Sequence, residues 1–402
     1  MGQPSIGDEN RLTTGVTDAL QRIVEKSMRI HTILSFILCA LWAVTGCVDG
    51  GAGGGGGGGG GVAPGPTPPP VNPVATLEAA LTQAVDNAIL PAVQGFLQNA
   101  SRLDDNAESF CADPDLEGLR TLQANWRSLF EQWYRLSLYN FGPLDDNIVF
   151  PAFTFIDSLR LRGTDYLETV RSEVSSDLTS TRALDDSYFA NKTFQRVGLL
   201  ALESVIFETS TPEHNTDTSQ VLAEYTSQAR KCQILTGLTA QVLGQARYVE
   251  QGWLTAFTGS ELSYRTLFLD GQVDEDGTEP MSALLIAGQE YLDYVQARSV
   301  VLVAGQVSGH IWEAVSASID EVELFLEGEA DTSDSIFDVM AVSGNQNEIA
   351  DVRDSIAQIR QALADRDPDM LEITMGFLDG NYKREIPDSL DVVLGINFSD
   401  GD

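Results

Sequence analysis

The chain has 402 residues, 43% of them hydrophobic and 21% charged, which is enough apolar sequence to bury a large core. It carries 24 Lys and Arg against 59 Asp and Glu, a formal net charge of −35. A surface this negative repels phosphate backbones, which argues against nucleic-acid binding, whereas it suits cations, basic partners and solubility in a saline habitat.

The N-terminal segment has the pattern of an export signal. The apolar stretch His31–Ala43 follows a basic flank and is too short for a transmembrane helix, which needs about 20 apolar residues. Next comes Val44-Thr45-Gly46-Cys47, which resembles the lipobox of bacterial lipoproteins, in which the cysteine is acylated and becomes the mature N-terminus. We therefore predict a signal peptide over residues 1–46, with Met28 as an alternative start of translation, and a lipid on Cys47.

Residues 47–73 predict a disordered leash between this lipid and the folded part. Glycine fills positions 53–61 and proline is frequent over 63–73, so the first stretch is expected to be flexible and the second stiffer and extended. Val48, rather than an aspartate, follows the lipidated cysteine, which favours the outer over the inner membrane in a Gram-negative cell. The expected location is the cell envelope, with the folded part in the periplasm or at the surface.

Residues 74–402 predict an all-α fold. Apolar residues recur at helical spacing over 77–97, where Pro91 is expected to kink the helix, and again over 116–133. A single long helix is predicted for Thr218–Ala256, and no run of alternating β-branched residues indicates a strand. Two sets of about four helices predict two packed up-and-down bundles that divide near residues 210–235.

Two cysteines remain in the folded part. Cys39 lies in the predicted signal peptide and Cys47 carries the lipid, which leaves Cys111 and Cys232. In an exported domain such a pair is expected to form a disulfide, and two buried free thiols are the alternative.

Four local features follow one another along the folded part. They are Trp133 with the later Phe141-Gly142-Pro143, the cysteines Cys111 and Cys232, the apolar helix Gly198–Phe207 that contains Glu203, and the C-terminal residues Asp400, Gly401 and Asp402. Together they resemble the imelysin-like proteins, and among them a group of predicted periplasmic lipoproteins. The resemblance covers about 75–402 and implies an all-helical fold of two related four-helix bundles, export, and an association with iron acquisition.

The resemblance also implies a site. The family has a Gly-x-His-x-x-Glu segment, whose His and Glu share a helix face and were suspected of holding a metal ion. Gly198 and Glu203 match this pattern, but Leu200 stands in place of the histidine and cannot ligate. Glu203 is the remaining candidate ligand for iron or another divalent cation. The alternative is a structural hydrogen bond or salt bridge to an arginine such as Arg127 or Arg135.

Peptidase activity, which the name of the first family members implies, is not expected. After Cys47 the chain holds only His214 and His310, and neither lies in a His-Glu-x-x-His pattern. We predict a non-enzymatic binding component linked to iron or metal acquisition, with Gly198, Glu203 and the C-terminal Asp400 to Asp402 near a cleft between the bundles. The alternatives are a protein-interaction module that binds no metal and a metallopeptidase.

Overall fold

The structure is a computed structural model that describes residues 75–147, 149–274, 276–329 and 334–394. All the described residues belong to one compact unit, Pro70–Asp402. The predicted signal peptide, the lipidation site Cys47, the leash and the segment Asp400 to Asp402 therefore lie outside the described residues.

Helices joined by short connections make up the described part of the chain, and none of its residues forms a strand. In chain order they are α1 (Leu77–Ala84), α2 (Leu90–Ala112), α3 (Leu116–Leu136), α4 (Ser158–Arg162), α5 (Leu167–Thr179), α6 (Asp186–Ala190), α7 (Gly198–Phe207), α8 (Thr218–Ser227), α9 (Ala229–Leu254), α10 (Tyr264–Leu269), α11 (Pro280–Ala297), α12 (Val300–Val303), α13 (Ile311–Glu327), α14 (Ile336–Val342), α15 (Gln346–Asp365), α16 (Pro368–Lys383) and α17 (Glu385–Leu390). The predicted all-α fold is confirmed. No helix in the described ranges is long and apolar enough to cross a membrane.

The long helices pack in two groups. Helices α2, α3, α7 and α9 form the first, and α11, α13, α15 and α16 form the second, while α13 also lies along α3. The sequence predicts that the two bundles divide near residues 210–235. This range contains α8 and the start of α9, and α9 packs on α2 within the first group. Trp126 and Trp133 of α3 are buried in the core of the first group, where Trp126 packs on Phe207 of α7 and Trp133 packs on Phe96 of α2.

Two helices depart locally from the predicted ones. A π-helical turn, Val85–Ile89, joins α1 to α2, and Pro91 lies in the first turn of α2. Proline lacks an N–H and its ring displaces the carbonyl four residues earlier, so the irregularity falls just before Pro91. The single helix predicted for Thr218–Ala256 is wrong, because Gln228 (φ −130°, ψ 87°) separates α8 from α9.

The two cysteines form the predicted disulfide. Cys111 at the end of α2 is bonded to Cys232 in the first turn of α9, with Cα atoms 5.5 Å apart and 121 positions between them in sequence. The bond fastens α9 to α2 at one end of their long contact. Next to it, the fully buried Lys231 forms an ion pair with Glu224 and donates to the carbonyl of Glu208 (2.9 Å).

Candidate functional site

Helix α7 begins at a glycine that no other residue could replace without strain. Gly198 has a φ of +81°, and a Cβ placed on it would lie 2.5 Å from the carbonyl oxygen of Ile156. The amide of Leu199 donates to the same carbonyl (2.9 Å), and the indole N–H of Trp126 donates to the carbonyl of Leu199 (3.2 Å). These contacts fix the start of α7 against α3 and against the segment before α4.

Glu203 lies one turn further along α7 and is almost completely buried, with 1% of its surface exposed. Its Oε1 accepts a hydrogen bond from the backbone amide of Ser308 at 2.7 Å. Burial raises the pKa of Glu203 to about 7, even though the bonds from Ser308 favour the ionised form, and the nearby Glu208 adds to the rise. Near neutral pH the protonated and the ionised form of this carboxyl group are therefore both populated.

A small cavity of about 30 Å³, room for about one water molecule, adjoins Glu203. Its apolar wall comes from Trp126, Phe130 and Tyr134 of α3 and from Leu200 of α7. Leu200 and Glu203 thus line the same cavity, as residues three apart on one helix face should. The apolar wall explains why the carboxyl group is desolvated.

Asp157, which lines the same cavity, is a site residue that sequence reasoning missed. One of its oxygens accepts from the indole N–H of Trp133 (3.0 Å) and from the hydroxyl of Tyr294 (3.0 Å), and the other caps α4 through the amide of Leu159 (3.1 Å). Burial raises the pKa of Tyr294 well above its ordinary range, so its hydroxyl stays protonated and donates. The predicted motif residue Trp133 therefore acts by holding Asp157.

The segment from Val303 to His310 closes the cavity from the side of the second helix group. Gly305 and Gly309 both adopt positive φ (+60° and +67°), which lets the chain turn tightly enough to aim the Ser308 amide at Glu203. At its end, Nε2 of His310 lies 2.7 Å from a carboxylate oxygen of Glu131 on α3. Ser308 and His310 thus tie the segment to the first group.

The prediction that an arginine such as Arg127 or Arg135 pairs with Glu203 is wrong. The guanidinium of Arg127 lies over the ring of Phe207, 4.9 Å from its centre. Arg135 pairs with Asp320 (3.1 Å) and Glu321 (3.7 Å). The partner of Glu203 is a backbone amide on a distant loop, which side-chain charge patterns cannot reveal.

Comparison with known proteins places this site within a family. The family model for imelysin (Peptidase M75) matches residues 89–375, which is more than half of the chain and includes both Glu203 and the loop that covers it. The chain belongs to the imelysin family. No curated protein matches this sequence.

Two solved structures share its fold. One is an imelysin-like protein from Psychrobacter arcticum, with a TM-score of 0.55 and 14% identity over 81% of this chain and 100% of that one. The other is named as an iron-regulated protein A precursor from Parabacteroides distasonis, with a TM-score of 0.56 and 14% identity over 78% of this chain and 94% of that one. At this identity the likeness shows the fold alone.

The described residues of the chain do not fit a metal ion at the family motif. Leu200 offers an alkyl side chain, and Glu203 is already bonded to Ser308. A structural or catalytic metal site in proteins normally takes three or four protein ligands. In the ranges that the structure describes, no three His, Cys, Asp or Glu side chains are grouped so that they could hold an ion.

The Phe141-Gly142-Pro143 segment does not line the cavity. Phe141 stacks on Phe268 with ring centres 5.2 Å apart, and Gly142 (φ +56°) leaves no room for a side chain beside the ring of Tyr264. These residues turn the chain at the end of α3 inside an aromatic cluster. The C-terminal residues Asp400 to Asp402, which are also predicted to lie near the cleft, are outside the described residues.

Proposed function

We propose that this protein is a lipid-anchored, extracytoplasmic binding component without enzymatic activity, and that it acts in iron acquisition. Family membership and the fold shared with a protein named as an iron-regulated protein A precursor support the link with iron. The observation that carries the proposal is Glu203, an ionisable group kept 1% exposed beside an aromatic cavity at the family's motif position. A carboxyl group is expensive to bury, so a role beyond packing is favoured.

The motif itself supports the proposed absence of enzymatic activity. A zinc peptidase needs several protein ligands around the ion and a general base beside a bound water. Leu200 removes the motif's histidine, and Glu203 remains as the one carboxyl of that pair. Cleavage of casein by the purified protein, abolished by a chelator, would contradict this part of the proposal.

Metal content is the first test of the binding function. The mature chain, with its C-terminal residues intact, would be examined by elemental analysis and by calorimetric titration with iron, zinc, copper and calcium. Glu203→Ala is the test variant, and Glu117→Ala, exposed in the first turn of α3, is the matched control. Stoichiometric binding lost only in Glu203→Ala supports a metal ligand, whereas no binding by the wild type excludes metal binding and moves the search to another ligand.

The physiological link with iron has its own test. A deletion strain is expected to grow more slowly than its parent in iron-poor medium and equally well in iron-rich medium, with restoration by the wild-type gene. Equal growth of the two strains in both media would refute the link, whatever the titrations show.

The proposed anchor is tested on Cys47. The wild-type protein is expected to incorporate labelled palmitate and to sediment with membranes. Cys47→Ser is expected to lose the label and to shift to the soluble fraction. Unchanged sedimentation of the unlabelled variant would refute lipidation as the anchor.

A second candidate, a protein-interaction module that binds no metal, is favoured by a surface of α16. Met370, Ile373 and Phe377 follow one another at helical spacing and leave 45%, 50% and 49% of their surface exposed. An apolar stripe of this kind is typical of helix docking sites. A stable partner recovered with the wild type and lost with Ile373→Glu would support this function, and recovery unchanged in the variant would contradict it.

A further inference from the structure

A second, open pocket lies beside α5 and α6, with a volume of about 460 Å³. Three cations, Arg182, Lys192 and Arg196, line it, in a chain that has only 24 Lys and Arg against 59 Asp and Glu. It shares no lining residue with the Glu203 cavity. Glu173 and Asp185 also line it, so the lining holds three positive and two negative groups, in a chain whose net charge is −35.

The acidic groups around this pocket are already engaged. Glu173 pairs with Lys192 (2.5 Å) and Arg196 (3.1 Å), and Asp177 also pairs with Lys192 (2.9 Å). Asp185 accepts the backbone amide of Tyr188 (2.9 Å) and so caps the start of α6. These bonds neutralise the charge of Lys192 and hold its side chain in place.

Arg182 and Arg196 each keep guanidinium N–H groups that can donate to a ligand. Arg182 is exposed, donates through Nη1 to the hydroxyl of Tyr188 (3.2 Å) and stacks over that ring at 5.2 Å. Among the ion pairs of the described residues, none includes Arg182. Arg196 is 47% exposed at its side chain and pairs with Glu173 through Nη1, which leaves its other N–H groups for a ligand. Tyr188 thereby pre-orders one guanidinium, which lowers the entropy lost on binding.

We propose that this pocket binds a small oxyanion, a carboxylate or a phosphate, between Arg182 and Arg196. A guanidinium presents parallel N–H groups that match the oxygens of either anion, and two of them across one pocket form a clamp. The side chains of Ser187 and Asn191 add neutral polar groups to the lining. The volume lies within the range of about 300 to 1,000 Å³ that is typical of small-ligand sites.

The negative charge of the whole protein opposes this anion but does not prevent its binding. At physiological ionic strength, charges further away than about 8 Å are largely screened, so the groups of the lining itself, which are three cations and two carboxylates, decide the affinity. Anion binding here goes beyond the proposed iron function and is independent of Glu203.

Calorimetric titration of the mature chain with citrate and, separately, with inorganic phosphate tests the proposal. The wild type is expected to bind at least one of them, and the stronger one identifies the class of oxyanion. Arg182→Gln and Arg196→Gln are each expected to weaken binding about tenfold or more, since each removes charge-assisted hydrogen bonds. Arg182→Lys, which keeps the charge and loses the fork, is expected to bind more weakly than the wild type.

Arg353→Gln is the matched control, because Arg353 is an exposed arginine on α15 that pairs with Glu327 (2.8 Å). It should leave the affinity unchanged. Arg182→Gln breaks no ion pair of the described residues, so it carries the test if Arg196→Gln proves unstable in thermal unfolding. Failure of the wild type to bind either anion, or an equal loss in Arg353→Gln, would overturn the proposal.

Discussion

Replacing Glu203 by glutamine should change how the stability of the protein depends on pH. In the folded protein the pKa of Glu203 is raised from 4.5 to about 7, mainly by burial. The folded state therefore binds more protons at Glu203 than the unfolded chain does between these pH values. The contribution of Glu203 to the free energy of unfolding falls as pH rises from about 4.5 to about 7 and is level on either side. The difference of about 2.5 in pKa corresponds to about 3 kcal/mol at 1.36 kcal/mol per pKa unit.

Glutamine has nearly the same shape, keeps an oxygen for the Ser308 amide and has no charge to desolvate. We therefore expect Glu203→Gln to gain about 3 kcal/mol relative to the wild type when the pH is raised from 4 to 8. The assay is urea unfolding of both proteins at a series of pH values, followed by circular dichroism.

A second buried carboxyl group has a raised pKa in the same range, so the test compares the variant with the wild type instead of following the wild type alone. Burial also raises the pKa of Glu321 to about 7, although Tyr139 and Arg135 stabilise its charged form. Its contribution is common to both proteins and cancels in their difference, and Glu117→Gln serves as an exposed control. A stability difference between Glu203→Gln and wild type that stays constant from pH 4 to 8 would refute the assigned pKa and, with it, the desolvated site.

Three further substitutions test the site and its frame. Leu200→His restores the family's pair with Glu203 on one helix face, but this pair is only two of the three or four ligands that an ion needs, so calorimetry should detect no zinc or iron(II) binding. Binding that is acquired by Leu200→His and lost again with Glu203→Gln would show that the cavity supplies the remaining ligands. Gly198→Ala should destabilise the fold by about 1 to 3 kcal/mol in thermal unfolding, because it puts a Cβ 2.5 Å from a backbone oxygen. A neutral effect would contradict this tight contact. Replacing Cys111 and Cys232 by serine opens a loop that spans 121 positions and should cost about 4 kcal/mol in urea unfolding, against no loss if the bond does not form in the cell.

Much of the helical architecture is predictable because the apolar periodicity is local. The spacing of the apolar stripe along α3 is enough to identify Trp126 and Trp133 as core residues, and the compartment implied by the signal segment pairs Cys111 with Cys232. The break at Gln228 is not visible in the same way, because no glycine or proline marks it. Tertiary contacts there override a continuous helical pattern.

The site was predictable only in part, since its residues come from segments far apart in sequence. Gly198 and Glu203 are found from a motif, because the spacing of a helix is contained in the sequence. Asp157 and Ser308 are not, since each reaches the cavity from another segment, 46 residues before and 105 residues after Glu203. The weak signals were the capping position of Asp157 before α4 and the paired glycines, Gly305 and Gly309, around Ser308.

The exchange of the motif's histidine for Leu200 and the raised pKa of Glu203 are physically linked. An imidazole beside the carboxyl group would donate a hydrogen bond or share a cation, and either would stabilise the ionised form. Leu200 instead adds to the apolar wall that desolvates it. The bond from the Ser308 amide is then what stabilises the ionised form of Glu203. Leu200→His should therefore also lower the pKa of Glu203 and flatten the fall in stability between pH 4.5 and 7, a change that pH-dependent unfolding detects even if no metal binds.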